Sequence, residues 1–380
     1  MMIREKRRLD EASTEILDLP TSIMMDILLR QPIQTVFSCR NVCQSWKNIV
    51  SDPYFTRMCT GKLHMANFAL SISRENIASL WKLCKFGLCV KKKKEIALPL
   101  STKGQLFILG SCNGLVCLRH KFFDNIDDLY LWNPALGENI LLPRSKNEKR
   151  ILKSAYGYGL SQYTGHYKVL RIVHKSYLYR PNKTEGEVIT IGIDNKWRDI
   201  GSAPFPLHEN FCKVTLNGAL HWIIDDFRKP DFIYSFNIDK ENVQIIAPPR
   251  DLVDRRPWMS LAVFDNILCI LDNSRDSELE IWLMKEYGVA ESWNKYLRME
   301  KAQVQYQSLL LPANIWRDKE LYVIKFYQFV YALNPNQRKF FEVEVLENKS
   351  RFLRNTVSDS VAAYNVSLLS PKDVMGTNLS

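Results

Sequence analysis

No stretch of this 380-residue chain supplies the roughly eighteen uninterrupted apolar residues that a membrane-crossing helix requires. The N-terminus, MMIREKRRLDEAS, carries charges where a secretory leader would have its apolar stretch. Cysteine is scarce, and the nine present are too scattered for a small secreted disulfide scaffold. These absences give the expectation of a soluble, intracellular protein, in the cytoplasm or the nucleus, with free thiols and no membrane partner. Catalytic signatures are missing as well. Neither Cys84/Cys89 nor Cys112/Cys117 makes the CxxC pair of structural zinc, and the six histidines form no HExxH or HxH cluster. No serine sits in a GxSxG elbow. Gly157 and Gly159 lack the further glycine and the Lys-Ser/Thr pair of a phosphate loop, so they read as a turn. The adjacent acids Asp127-Asp128 and Asp225-Asp226 read as solvated loop residues, and His221 as a core or lip residue rather than a base. The expectation is a chain with no metal, no cofactor and no catalytic set.

What is present is globular. Hydrophobic residues make up 46% and aromatics 11%, and the length suffices for a large core. The formal charge of +11 gathers in two small knots, REKRR at 4–8 and KKKK at 91–94, while the other charges interleave. Nucleic-acid binding needs a coherent basic surface with aromatics set into it, so this distribution argues against it. Lys91 to Lys94 read as a solvated loop, and the basic balance suits an acidic or phosphorylated protein target.

The first fifty residues follow a helical period. Pro20 suits a helix start, Ile23, Met24, Ile27 and Leu28 form one stripe, and Pro32 ends it. Two further short patterns follow, Ile33, Val36 and Phe37, then Val42, Cys43, Trp46, Ile49 and Val50, closed by Ser51-Asp52-Pro53. Three short helices in about 35 residues are near the lower limit for independent folding, and these carry more large apolar side chains than such a bundle can hide. The surplus must pack on the rest of the chain or on another protein.

The order Leu19-Pro20, Asp26-Ile27-Leu28, Arg30, Pro32-Ile33, Val42-Cys43, Ser45-Trp46 and Ser51-Asp52-Pro53-Tyr54-Phe55 resembles the F-box, in gapless register. In that family the motif docks a Skp-type adaptor, which binds a cullin and, through it, a RING protein in an SCF ubiquitin ligase. The resemblance implies adaptor contacts at Leu19, Pro20, Ile23, Ile27, Leu28, Pro32, Ile33, Val36, Val42, Cys43 and Trp46. Gln31 stands where the family usually has leucine, with further departures at Ser22, Gln34, Cys39 and Gln44. A buried, unpartnered amide at Gln31 would cost about 1–3 kcal/mol.

Beyond Phe55 the pattern changes to short runs of Val, Ile, Leu, Tyr and Trp broken by Asn-Gly, Asp-Asn and Pro signals, as in antiparallel strands. Only RENIASLWKLCKF, 74–86, keeps a helical period. The remainder repeats one plan. Asn113-Gly114 leads to LYLWNPALGENILLP, Asn217-Gly218 to IYSFNIDKENVQIIAPP, and Asn266 to LEIWLMKEYGVAESW. A diverged copy spans YKVLRIV and VITIGIDNKWRDIG, and another spans 319–345. Units of about fifty residues match a kelch-type propeller blade, whose radial stacking shelters strand edges. Five units are visible, and a sixth can be assembled from residues 60–110 and the C-terminal strands; the competing architecture is a β-sandwich with long insertions. GSCNGLVCL, LWNPALGENILLP, NGALHWI and EIWLMKEYGVAESWNKY also resemble the F-box-associated domain of plant F-box proteins.

The expected fold class is α+β, a short N-terminal three-helix F-box followed by an all-β, propeller-like domain. The expected division is a disordered basic N-terminus at 1–16, the F-box at 17–58, the β domain at 60–365 and a disordered tail at 366–380. The resemblance implies a non-catalytic substrate-recognition subunit of an SCF-type ligase; the alternative is an interaction scaffold with a degenerate F-box. Aromatics and arginines in polar or proline-broken segments are the candidates for target binding: Phe205, Phe211, Phe227, Arg228, Arg255, Arg256, Trp258, Trp316 and Arg317.

Overall fold

A computed structural model describes residues 19–31, 33–52, 54–55, 58, 68–73, 76, 78–83, 89–96, 104–121, 127–145, 151–177, 180–207, 214–224, 226, 228–275, 277–300, 310–317, 320–325, 329–334, 339–342, 344–345 and 356–376. Among the described residues three helices come first: α1 (Thr21–Leu29), α2 (Ile33–Cys39) and α3 (Gln44–Ser51). Pro20 precedes α1, with its carbonyl accepting from Ile23 N and Met24 N. After α3, Asp52 Oδ1 accepts from Tyr54 N at 2.8 Å and Phe55 N at 3.0 Å, a turn that swings Phe55 into the bundle core.

The rest is built from strands. β1 (Phe68–Ser73), β2 (Ala78–Leu83) and β3 (Cys89–Ile96) are followed by blade 1, β4 (Gln105–Cys112), β5 (Leu115–Lys121), β6 (Asp127–Asn133) and β7 (Glu138–Leu141). Blade 2 is β8 (Ile151–Leu160), β9 (Tyr167–Tyr177), β10 (Arg180–Thr190) and β11 (Arg198–Ser202). Blade 3 is β12 (Thr215–Leu216), β13 (Ala219–Ile223), β14 (Ile233–Asn237) and β15 (Asn242–Ile246). Blade 4 is β16 (Met259–Phe264), β17 (Ile267–Asp272), β18 (Glu278–Met284) and β19 (Trp293–Glu300); blade 5 is β20 (Leu310–Arg317), β21 (Glu320–Lys325), β22 (Phe329–Asn334) and β23 (Lys339–Glu342). β24 (Glu344–Val345) and β25 (Thr356–Tyr364) join β1 to β3 in blade 6, in the order β24-β3-β2-β1-β25. Inner strands touch in cyclic order, β4 on β8, β8 on β13, β13 on β16, β16 on β20, β20 on β25 and β25 on β4. The ring closes on six separate sheets, as a propeller does and a two-sheet sandwich does not.

The repeated turn signals have a physical basis. Asn113-Gly114, Asn217-Gly218 and Asp265-Asn266 each place two consecutive residues at positive φ, the requirement of the tight hairpin whose twist matches that of strands. The echo between LWNPALG and SFNIDKE is an Asx turn. Asn133 Oδ1 accepts from Ala135 N and Leu136 N, and Asn237 Oδ1 accepts from Asp239 N and Lys240 N. Indole latches tie neighbouring blades: Trp197 Nε1 donates to Pro143 O at 2.7 Å and Trp293 Nε1 to Ala247 O at 2.8 Å.

Several expectations are corrected. The helical period at 74–86 is overridden by pairing: Ala78–Leu83 is a strand between β1 and β3, and Asn76, at φ 58°, bonds Gly104 O and Leu106 N, a conformation no helix accepts. Lys91 to Lys94 lie in β3, which beyond its two-residue contact with β24 is a sheet edge among the described residues; lysines there discourage further pairing. Gly157 and Gly159 belong to the interior of β8 rather than a turn, and a Cβ at Gly159 would crowd Ile238 Cδ1 at 2.5 Å. Asp127 and Asp128 are buried in β6, held by Arg119 and Arg144 respectively, while Asp226 pairs with Arg228 and Asp225 lies outside the described residues. The expected tail is ordered over 366–376: Leu368, Leu369 and Ser370 are buried, and Pro371–Val374 forms a fourth helix, α4. The expected disordered stretch at 1–16 lies outside the described residues.

Between blades 2 and 3, Arg198 grips both oxygens of Glu241 at 2.5 and 2.7 Å, and Lys168 Nζ reaches the same carboxylate at 2.7 Å. The Arg198 hydrogen bonds, with Lys168 behind them, lower the Glu241 carboxyl from its ordinary 4.5 to about 2. A depressed carboxyl stabilises the fold above its unfolded value and loses that contribution as pH falls toward the folded one. The denaturant midpoint of the wild-type protein is therefore expected to fall more steeply from pH 5 to pH 3 than that of Glu241→Gln; parallel slopes would show the network to be silent.

Candidate docking interface

The bundle core consists of Leu28, Val36, Cys39, Val50, Phe55 and, from the far end of the chain, Leu368. Met25, Leu29, Phe37, Trp46 and Ile49 pack against it partly buried. The apolar surplus therefore divides. Leu28 and Val36 face inward, so the implied adaptor contacts at these two positions are corrected to internal packing. Ile23 at 46%, Ile27 at 45% and Val42 at 64% exposure stay outside, as do Tyr54 and Met58, which are not among the implied adaptor contacts. Ile23 and Ile27 stand four residues apart on one face of α1. Pro20 is exposed, Leu19, Cys43 and Trp46 are half-buried, the backbone of Ile33 opens α2, and Pro32 lies outside the described residues. Gln31 is exposed and its side chain reaches Ile27 O at 3.5 Å, so the feared desolvation cost does not arise.

The rear of the bundle is fixed by the last residues of the chain. β1 and β25 run antiparallel with Phe68 opposite Tyr364, so β1 begins and β25 ends at the same rim. Residues 365–376 form a clasp there. Successive leucines turn opposite ways: Leu368 enters the helical core and Leu369 the propeller core. Buried Asn133 donates to Ser367 O at 2.9 Å and Leu369 O at 2.8 Å. Ser370 donates to Glu138 Oε2 at 2.5 Å, and the other oxygen of Glu138 lies 3.7 Å from Arg40 of the bundle. Gly114, at φ 76°, is needed where the clasp crosses: a Cβ would overlap the Ser367 side chain and lie 2.7 Å from Asn365 O.

Strand alternation sorts the remaining candidates by rim. The turns joining first to second and third to fourth strands of a blade, such as 113–114 and 134–137, share the rim where the clasp crosses blade 1; the other connections leave from the opposite rim. Arg228, exposed and paired with Asp226 at 3.0 Å, lies in a far-rim connection, as does the 3-10 stretch Arg250–Trp258 containing Arg255, Arg256 and half-exposed Trp258. Arg255 is held by buried Asp272 at 3.1 Å. Phe211 and Phe227 lie outside the described residues. Phe205 is buried, so it is withdrawn as a surface candidate. Trp316 and Arg317 end β20 on the rim of the bundle, and the far-rim set excludes them.

His221 is no base. Its Nδ1 lies 3.3 Å from Val214 O, which can only accept, so Nδ1 carries the proton and Nε2 accepts from Tyr287 Oη at 2.7 Å. Burial lowers its pKa to about 4, leaving it a neutral link between blades 3 and 4. Burial likewise pushes the Cys112 thiol up to about 12, which makes it inert. Among the described residues no three His, Cys, Asp or Glu converge on a metal site.

A small helical module with exposed apolar residues is clasped to a six-bladed propeller. The chain belongs to the family of the F-box associated beta propeller domain, whose model matches residues 68–365, and the F-box domain model matches 16–58. Similar proteins occur in Arabidopsis thaliana. F-box protein At3g07870 is 27% identical over 337 residues, covering 80% of this chain and 78% of its own. F-box protein CPR1 is 24% identical over 94% of this chain and 89% of its own, and F-box/kelch-repeat protein At3g23880 is 24% identical over 76% and 82%.

Proposed function

We propose that this chain is the substrate-recognition subunit of an SCF-type ubiquitin ligase. In this reading the face of Ile23, Ile27 and Val42 docks a Skp-type adaptor, which brings a cullin and a RING protein, and the far rim of the propeller holds a protein target. The role is positional: a target lysine held near a charged conjugating enzyme reacts at raised effective concentration, and this chain supplies no reacting group. The observation that carries the reading is the division of the apolar surplus. The side toward the propeller is covered by Leu368 from the chain itself, while Ile23, Ile27 and Val42 are left bare. Isolated apolar residues on a surface need no explanation, but Ile23 and Ile27, one turn apart on the same face of α1, form a pair on a module of this family.

The test is adaptor capture by the full chain. Wild type is expected to bind a Skp-type adaptor, and Ile23→Asp/Ile27→Asp to lose at least a hundredfold in affinity. Because both side chains are half-exposed, the double variant should keep its thermal midpoint within about 2 °C. A wild-type chain that ignores the adaptor would end the proposal.

A further inference from the structure

Between blades 3 and 4 lies a cleft of about 640 Å³, a volume within the range of small-ligand pockets. Blade 3 supplies Pro230 and Asp231 from the connection after β13, and Pro248, Arg250 and Asp251 from the connection after β15, both of which leave from the rim opposite the helices. Blade 4 supplies Trp282 of β18, Glu291 from the turn between its third and fourth strands, and Trp293 at the start of β19, so the cleft runs along the outer strands between the two rims. The Trp293 ring is locked by its bond to Ala247 O.

Two independent features point to a ligand. Trp282 is 7% exposed and lines the cleft, yet its buried indole N–H has no partner. Lys295 Nζ lies 5.1 Å from the centre of that ring and is drawn to Glu280 at 3.0 Å, so it occupies the ring face without serving the N–H. A buried donor left unmade is unfavourable, and an incoming acceptor would relieve that cost. The second feature is charge. Three carboxylates, Asp231, Asp251 and Glu291, face one guanidinium, Arg250, beside apolar walls of proline and indole.

We propose that the cleft seats an extended basic segment of the protein target. A main-chain carbonyl of that segment accepts from Trp282 Nε1, an arginine or lysine head meets the carboxylates, and its aliphatic stem lies along Pro248 and Trp293. The inference rests on the target-receptor role of the β domain and names the chemistry that role recognises. It also reverses the expectation drawn from the net charge. Salt screens charges beyond about 8 Å, so the local set decides over the chain's +11.

The experiment titrates the full-length chain with acetyl-Ala-Arg-Ala-amide, acetyl-Ala-Glu-Ala-amide and methyl α-glucoside, following indole NMR signals. The arginine peptide is expected to bind saturably, at least tenfold more tightly than either other probe. Asp251→Asn/Glu291→Gln, at two exposed positions, should weaken it at least tenfold. Trp282→Phe, which keeps a buried ring and loses the N–H, should weaken it severalfold. Absence of saturable arginine binding, equal or better binding of the glutamate peptide or the glucoside, or indifference to the carboxylate pair would overturn the proposal. Adaptor capture by the same variants is expected to match wild type, so failure of the cleft and failure of the ligase reading are separately visible.

Discussion

A chain lacking residues 367–380 is expected to keep a folded propeller and to capture the adaptor about two- to thirtyfold more weakly. The cut falls after Tyr364, so the β1–β25 ladder that closes the ring survives. What disappears is Leu368 from the helical core and Leu369 from the much larger propeller core, together with the Ser367 and Leu369 carbonyls that Asn133 holds and the Ser370 hydroxyl on Glu138. Emptying a core site of one leucine costs about 2–5 kcal/mol when the surroundings relax only partly. A bundle of some 35 residues commands no more than about 3–5 kcal/mol from its own core, so the loss is comparable with everything it has. An adaptor that binds only the folded bundle then sees an affinity reduced by the folded fraction, about twofold where the loss equals the bundle's own stability and about thirtyfold where it exceeds that stability by about 2 kcal/mol. Hydrogen exchange over residues 21–55, beside an adaptor titration, checks this. Leu368→Ala alone should give the same pattern in weaker form. Unchanged protection across the three helices in the truncated chain would refute the clasp.

Much of this architecture is legible from local chemistry. The period of Ile23, Met24, Ile27 and Leu28 marks α1, and the Asn-Gly pairs mark hairpins because only residues tolerant of positive φ can occupy them. Repetition of that signal at blade spacing marks the propeller, and the closing blade follows from having strands left over at both ends. What stays hidden depends on partners distant in the chain. Residues 78–83 have a helical period, but β1 and β3 recruit them as a strand, and tertiary pairing outweighs propensity. Asp127 and Asp128 look like loop acids until Arg119 and Arg144 are found against them. SLLSPKDV gives no local hint that its two leucines serve different cores, since Leu368 meets Leu28 only after the whole ring has closed. Trp282 gives no sign of a cleft either, since its other wall belongs to a neighbouring blade. The helical docking face was readable as a set of residues, but its inner and outer halves were not, because which half is covered depends on the clasp.

Asp127→Ala is expected to destabilise the propeller more than any surface substitution, by about 3–5 kcal/mol, roughly 10 °C in thermal midpoint. The Asp127 and Arg119 side chains are 2% and 4% exposed and meet at 2.9 Å within blade 1. The same carboxylate oxygen accepts from Tyr156 Oη of blade 2 at 2.9 Å, and burial holds that phenol well above its ordinary range. Arg119 and Arg171 both lie over the Tyr156 ring, at 5.1 and 5.9 Å from its centre, and Arg171 faces Glu187 at 3.5 Å. Two arginines and two acids thus sandwich one ring at the junction of blades 1 and 2. Removing Asp127 strips Arg119 of its carboxylate while leaving it dry, which costs far more than the pair contributes when intact. Arg119→Met/Asp127→Leu/Tyr156→Phe removes the charges and the hydroxyl together and should recover most of the lost stability. A double-mutant cycle on Arg119 and Asp127 should give a coupling of at least about 2 kcal/mol. Should Asp127→Ala unfold within about 1 kcal/mol of wild type, solvent must already reach the pair, and the junction between these blades would be looser than its geometry requires.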